Sequence, residues 1–219
     1  MEEDLRGRQG RLLFAYLVLH RLRDVTRDEL VAALWPEGTD AGLAPLLSKL
    51  RRLVAVAGRG DLRIVLPPDA WVDFEAAAEA LHRAEAALAR GDVFASYGPA
   101  RVTQHIAMRG FLPGHELPWT VEVRQRLERM HARALELLAS ACLEIGGAEL
   151  DTAERAARRL IALAPFGESG HRLLFRVLAA RGNRAEALRM YSALCNLLRE
   201  ELGASPSPET QRLHRELLT

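Results

Sequence analysis

The chain has 219 residues, 30 Lys plus Arg against 29 Asp plus Glu for a net charge of +1, and is 49% hydrophobic and 27% charged, which excludes a disordered or collagen-like chain. That length supports one or two domains burying roughly 70% of the unfolded chain's surface, and the balanced charge excludes a polycation, so any nucleic-acid contact must be local. Only twelve of the residues are aromatic, few for an all-β protein, while abundant Ala, Leu, Arg and Glu favour helices.

The opening MEEDLRGRQGR is charged where a signal peptide needs an apolar core. The run Leu12 to Leu19 covers eight residues against the ~20 that span a bilayer, so a cytoplasmic protein with no membrane partner is expected. The first seventy or so residues read as three helices and a hairpin. The first helix runs from about Gln9 to His20, apolar almost all round, as in a helix buried on most sides. Thr26 and Glu29 form a capping box, the threonine oxygen meeting the Glu29 amide while Glu29 reaches back. The second helix carries Leu30, Val31, Ala33 and Leu34 and stops at Pro36, with Gly38-Thr39-Asp40 as the loop. The third has Leu43, Leu46, Leu47, Leu50, Leu53 and Val54 in one stripe. Pro45 fits only its first turn, which puts the start near Ala44, and Gly58-Arg59-Gly60 ends it. Leu62-Arg63-Ile64-Val65 reads as a strand, Pro67-Pro68-Asp69 as a turn and Trp71-Val72-Asp73 as the returning strand.

From Asp73 onward the pattern is helical. Phe74, Ala77, Ala78, Leu81, Ala84 and Leu88 mark the buried side of a helix ending at Gly91, and a less regular helix follows from about Ala95 to Met108. The loop RGFLPGHELPW is expected to be rigid, its two prolines flanked by Phe111, Leu112 and Trp119. A long helix runs from Thr120 to about Ile145. Beyond it, LELLASACLEIGG resembles RLLFRVLAARGN, and DTAERAARRLIALAP resembles NRAEALRMYSALCNLL. The offsets of about 36 and 32 residues bracket the ~34 of a tetratricopeptide unit, so a short array of stacked helix pairs is expected. The small residues in Ala153-Glu154 and Ala185-Glu186, at equivalent places, are expected to admit a neighbouring helix closely. Phe175, Tyr191, Arg172 and Arg189 read either as lining a concave surface or, for the two aromatics, as core.

Chemistry-bearing motifs are scarce. HExxH, GxxxxGK[ST], GxSxG and a GxGxxG after a strand are missing, so no catalytic residue, cofactor or metal ligand is assigned and an enzyme is not expected. The seven histidines are scattered singly and read as surface or helix-end residues. Cys142 and Cys195 belong to no CxxC pair and read as small apolar residues within helices, not as zinc ligands or a disulfide framework. No small-molecule effector site is apparent.

The third helix carries the sharper signal. From Gly42 to Gly58 there are three cations and no acid. Ser48, Lys49, Arg51 and Arg52 lie three and four apart and project away from the leucine stripe. Three cations on one helix also suit a merely solvated face. Their place after a tight helix-turn and before a hairpin follows the winged helix-turn-helix plan, in which this helix enters the major groove and the hairpin touches backbone. Arg51 or Arg52 then suits guanine O6 and N7, and Lys49 a phosphate.

The run RGRQGRLLFAYLVLHRLRDVTRDELVAALWPEG, followed by SKLRRLV and a hairpin, resembles the OmpR-like winged-helix domain of the Streptomyces antibiotic regulatory protein family. GFLPGHELPW, VRQRLERMHARALELLA, NRAEALRMY and REELGASPSPETQRLHREL resemble the same family's bacterial transcriptional activator domain, so the likeness covers essentially the whole chain. It implies a mainly α protein. A winged helix-turn-helix domain over 1–72 would pack on a tetratricopeptide-like activator domain over 73–219. It implies a transcriptional regulator that binds double-stranded promoter DNA, contacts RNA polymerase through its sigma subunit and forms a homodimer. It places DNA contacts on Arg27, Ser48, Lys49, Arg51 and Arg52, with the wing over Arg63 to Trp71 and Arg63 as its contact. The sequence departs from the family pattern in three ways. Only MEEDLRGRQ stands where a leading β-sheet is usual, as in a truncated or reduced relative; the front of the third helix reads Gly42-Leu43-Ala44-Pro45-Leu46 where polar groups are usual; and Asp69 falls at the expected wing tip. Residues 1–70 hold eleven Arg plus Lys and ten Asp plus Glu. These departures keep a second reading open: a protein-interaction module whose winged helix no longer binds DNA and whose helical array holds a protein partner.

Overall fold

The computed structural model describes residues 7–36 and 42–219; MEEDLR and the loop expected at Gly38-Thr39-Asp40 lie outside the described residues. The chain forms two compact units, Met1–Val72 with Leu112–Val123, and Asp73–Phe111 with Arg124–Thr219. It is mainly α, with one small antiparallel sheet.

The first unit contains α1 (Arg8–Leu19), β1 (Val25–Thr26), α2 (Arg27–Leu34), α3 (Leu43–Leu50), β2 (Ala55–Ala57) and β3 (Asp61–Val65). The sheet order is β1-β3-β2, all pairs antiparallel, with Val25 opposite Leu62 and Val56 opposite Ile64. β3 alternates as a half-buried strand should: Leu62 and Ile64 are buried, Asp61, Arg63 and Val65 exposed. They join Leu12, Leu13, Leu17, Leu30, Leu43, Leu47 and Leu50 in one core, where each buried leucine contributes about 1.5–3 kcal/mol relative to exposure. Leu112, Leu117 and Trp119 pack on this core. The Trp119 indole donates to the Ala33 carbonyl at 3.0 Å and meets the Tyr16 ring edge-on, centroids 5.1 Å apart.

Two local expectations change here. The Thr26 hydroxyl does accept from the Glu29 amide at 3.1 Å, but the Glu29 carboxylate turns to the Tyr16 hydroxyl at 2.6 Å and to the Arg23 guanidinium at 2.9 Å. A charged donor outcompetes the backbone amide a capping box offers. The hairpin is also shifted. α3 stops at Leu50, residues 51–54 turn, and β2 and β3 are the paired strands, with Gly58 to Gly60 at the bend. Pro67 and Pro68 carry no amide hydrogen for a ladder, and the expected returning strand at Trp71 is exposed and unpaired, outside the sheet.

The second unit is built from α4 (Asp73–Ala89), α5 (Val93–Ala107), α6 (Pro118–Ile145, from Arg124 on), α7 (Leu150–Leu163), α8 (Glu168–Ala180), α9 (Arg184–Leu202) and α10 (Pro208–Leu218). α4 buries Ala77, Ala80, Ala84 and Ala87, a face with little side-chain bulk that lets α5 lie close. There the Thr103 hydroxyl donates to the Ala77 carbonyl at 3.0 Å. Each helix from α7 to α10 packs on the next around Leu160, Leu174, Phe175, Leu178 and Leu194, the stacked array that the repeat requires.

The repeat is kept in charge more closely than in packing. Glu154 and Glu186 both accept from Arg158 at 2.9 Å. Ala153 is buried, whereas Ala185 is exposed and Ala187 takes the close-packing role, because α9 meets its neighbour two residues further along. Phe175 is core, and Tyr191, half-buried, stacks on His214 with centroids 3.8 Å apart. Arg172 bonds Thr210 at 3.1 Å and pairs with Glu209 at 3.2 Å, so it braces α8 against α10 and does not line an open surface. The histidines are not all superficial: His115, His131 and His171 are buried. Among the described residues no helix is long and apolar enough to cross a membrane, and no group of three or more His, Cys, Asp or Glu is arranged to hold a metal ion.

Candidate nucleic-acid interface

The orientation of α3 follows from its leucines. Leu43, Leu47 and Leu50 fall on one side at spacings of four and three and are at most 1% exposed, so the remaining side must face solvent. Ala44, Pro45, Ser48 and Lys49 occupy it, and all four are exposed. Arg51 is the C-cap, its amide still bonded to the Leu47 carbonyl at 2.9 Å, and Arg52 lies one residue into the turn, its amide on the Lys49 carbonyl at 3.2 Å. Both side chains are exposed. The helix end thus carries Lys49, Arg51 and Arg52 within one turn, and cations there also complement the helix dipole.

Arg51 has a second attachment. Its guanidinium donates to the Gly58 carbonyl at 2.7 Å, linking the end of α3 to the hairpin bend. Gly58 has φ +85°, and a Cβ placed there would lie 1.8 Å from the Asp61 carbonyl oxygen; only glycine fits. Arg59 at the tip is exposed. Sequence reading placed Arg59 at a helix end and missed it as a wing residue. The signal was a Gly-x-Gly between two short apolar-alternating runs, a hairpin pattern. Asp69, read as the wing tip, lies after β3 and outside the hairpin.

The other candidates are dispersed. Arg63 is exposed on β3 opposite Ala57, and its guanidinium is 3.6 Å from the Asp24 carboxylate, which offsets part of its charge. Arg27 opens α2 and is half-buried. Ser48, Lys49, Arg51 and Arg52 therefore form one patch by chain position, with the hairpin bend tied to it through Arg51, while Arg63 and Arg27 stand on separate elements. Arg23 is committed to Glu29; that guanidinium holds the Glu29 carboxyl down at about 2, and burial lifts the Tyr16 hydroxyl to about 12. Neither perturbation reflects catalytic chemistry: the three groups form one ion-pair cluster bracing β1 and α2 against α1.

The family model described as bacterial transcriptional activator domain matches residues 71–218. The regulatory protein AfsR of Streptomyces coelicolor is 29% identical over 96% of this chain, and AfsR of Streptomyces griseus is likewise 29% identical over 96%. The chain spans only 22% of the length of each of these curated relatives. The solved structure of Mycobacterium tuberculosis EmbR in complex with a low-affinity phosphopeptide superposes with a TM-score of 0.78, covering 97% of this chain and 59% of that chain at 21% identity, a likeness of fold.

Proposed function

The chain belongs to the bacterial transcriptional activator domain family, as a transcriptional regulator of the Streptomyces antibiotic regulatory protein type, and on that premise we propose that residues 1–72 bind double-stranded promoter DNA while residues 73–219 make protein contacts with RNA polymerase and with a second copy of the chain. The observation that carries the DNA reading is the outward face of α3, where Ser48, Lys49, Arg51 and Arg52 are exposed above a fully buried leucine row. In this reading Ser48 and Arg52 face base edges in the major groove and Lys49 meets phosphate. Arg51 sets the wing so that Arg59 follows the neighbouring backbone, and Arg27 and Arg63 make peripheral phosphate contacts. Regulators of this type are generally not enzymes, and no catalytic role is proposed.

The test is binding of the purified chain to DNA from beside its own gene across a salt series. Each phosphate contacted steepens the slope of log affinity against log salt by about −0.9. The double substitution Lys49→Ala, Arg52→Ala is expected to make it shallower by about 0.9, the share of the one phosphate contact it removes, and to weaken binding further through the lost base contact. Equal affinity and equal slope in that variant would overturn the assignment.

One observation favours a second reading, a protein-interaction module. The exposed front of α3 offers Ala44 and Pro45, which have no side-chain hydrogen-bonding group with which to read a base edge. A chain that does not shift its promoter fragment at physiological salt, yet is retained by RNA polymerase, would decide for that reading.

A further inference from the structure

We propose that a cleft within the second unit, between α5, α6 and α7, is a binding site for a small organic anion. The cleft has a volume of about 360 Å3. Arg101 of α5 and Arg155 and Arg159 of α7 stand at its mouth, with His131, Leu135 and Leu138 of α6 beneath them. No acidic side chain lines it among the described residues. The three arginines are exposed, while the three α6 residues are at most 5% exposed. Cationic groups around an apolar floor match a ligand with one anionic end and an apolar body.

The arginines have little else to do. Arg155 and Arg159 lie four apart and share one face of α7, a spacing at which like charges repel unless an anion sits between them. Arg155 bonds only the Thr152 hydroxyl, at 3.1 Å, and Arg159 makes no ion pair among the described residues. Arg101 donates to the Tyr97 hydroxyl at 2.9 Å, and Tyr97 in turn donates to Glu149 at 3.3 Å. Glu149 is thus engaged by Tyr97 and is not among the residues that line the cleft.

An independent observation lies at the base. His131 is 5% exposed, lines the cleft, and its Nε2 is buried with no hydrogen-bond partner among the described residues. A buried polar nitrogen without a partner is a cost to the fold that a ligand oxygen at this point would remove. Burial, and then the Arg159 charge, hold His131 toward its neutral form, so the ring supplies a single hydrogen bond beside the guanidinium groups. Those groups supply the charge recognition, bidentate toward a carboxylate or a phosphate.

The experiment is calorimetric titration of the full chain with phenyl phosphate and with benzoate, which share the apolar ring and differ in the anionic group. Phenol serves as the uncharged control and inorganic phosphate as the control without a body. At least one of the two ring-bearing anions is expected to bind with a Kd near or below about 1 mM and at least tenfold more tightly than either control. Whichever is tighter identifies the anionic group. The double substitution Arg155→Gln, Arg159→Gln, both exposed and checked as folded by circular dichroism, is expected to weaken that anion about tenfold or more. His131→Phe, which keeps the ring volume but removes Nε2, is expected to weaken it also. No binding of either anion, phenol binding as well as they do, or undiminished affinity in the arginine variant would overturn the proposal. The readout is ligand binding alone, so it is separate from whether the chain binds DNA.

Discussion

The Arg51 guanidinium donates to the Gly58 carbonyl at 2.7 Å, seven positions further along the chain. The C-cap side chain of α3 thereby sets the position of the bend in the hairpin. That contact separates Arg51 from its neighbours Lys49 and Arg52, whose charges have no such anchor among the described residues.

Replacement of Arg51 by alanine is therefore expected to act on the hairpin as well as on charge. An exposed hydrogen bond contributes little to global stability, so denaturant unfolding should shift by less than about 1 kcal/mol. Amide exchange at the β2 and β3 ladder should quicken, and DNA affinity should fall further than in Lys49→Ala. Unchanged exchange across Ala55–Ala57 would show that the contact does not order the bend.

Gly58 offers a sharper probe of the same turn. Alanine there would combine a left-handed φ with a Cβ 1.8 Å from the Asp61 carbonyl oxygen, whereas a Cβ at Gly60 meets nothing within 4 Å. Gly58→Ala is expected to destabilise the chain by about 1–3 kcal/mol, or to rearrange the hairpin, while Gly60→Ala should change stability by no more than about 1 kcal/mol. Urea unfolding of the two variants side by side checks this, and equal midpoints would contradict the turn geometry.

How far these features were legible in the sequence depends on how local their causes are. The α3 face could be read because Leu43, Leu47 and Leu50 recur at helical spacing and the polar residues fall opposite. The hairpin is harder to read, although Gly58-Arg59-Gly60 between two apolar runs marks its bend. Leu53 and Val54 continue the stripe of α3, and what turns Ala55–Ala57 into a strand is pairing with β3, enforced by a left-handed Gly58. The three residues of β2 are too few to show a strand periodicity of their own against the longer stripe that precedes them. Ala153 and Ala185 show the reverse case, since equivalent sequence positions suggested equivalent packing and the register of α9 on its neighbour differs. The arginine-lined cleft left no signature at all, because Arg101, His131 and Arg159 come from three helices and meet only once those helices pack.

Glu29 is expected to contribute to acid sensitivity. Its carboxyl is lowered from the ordinary 4.5 to about 2, chiefly by the Arg23 hydrogen bond. A depressed folded value means the stabilisation is full above about pH 4.5 and is lost as pH falls through the window down to about 2. Glu29→Gln should accordingly be less stable than the parent at pH 7, with the gap closing near pH 2. Urea midpoints across that range test it; a gap that stays constant with pH would locate the cost in packing rather than in charge.

The two thiols should react very differently. Cys142 is fully buried, and burial followed by the nearby Glu149 charge pushes its thiol up to about 12, so almost none of it is the reactive thiolate near neutrality. Cys195 is only half-buried. Iodoacetamide at pH 8 should label Cys195 in the native chain and reach Cys142 only after denaturation, as read by mass spectrometry of the digested protein. Labelling of both at one rate would mean that α6 opens together with α9.

Arg59 and Arg63 divide the proposed wing contact unequally. Arg59 stands exposed at the bend between two glycines, whereas Arg63 lies 3.6 Å from the Asp24 carboxylate, and an exposed pair of this kind holds its partners only weakly. Arg59→Ala is expected to reduce the salt slope of DNA binding by about one phosphate's share, −0.9, at unchanged stability. Arg63→Ala should reduce it less, because Asp24 already cancels part of the charge that phosphate would see. Asp24→Asn should then strengthen binding by freeing Arg63, most visibly at low salt, where exposed charges are least screened. An Asp24→Asn chain that binds no better, together with a larger loss from Arg63→Ala than from Arg59→Ala, would place the DNA along the strand of the hairpin and away from its tip.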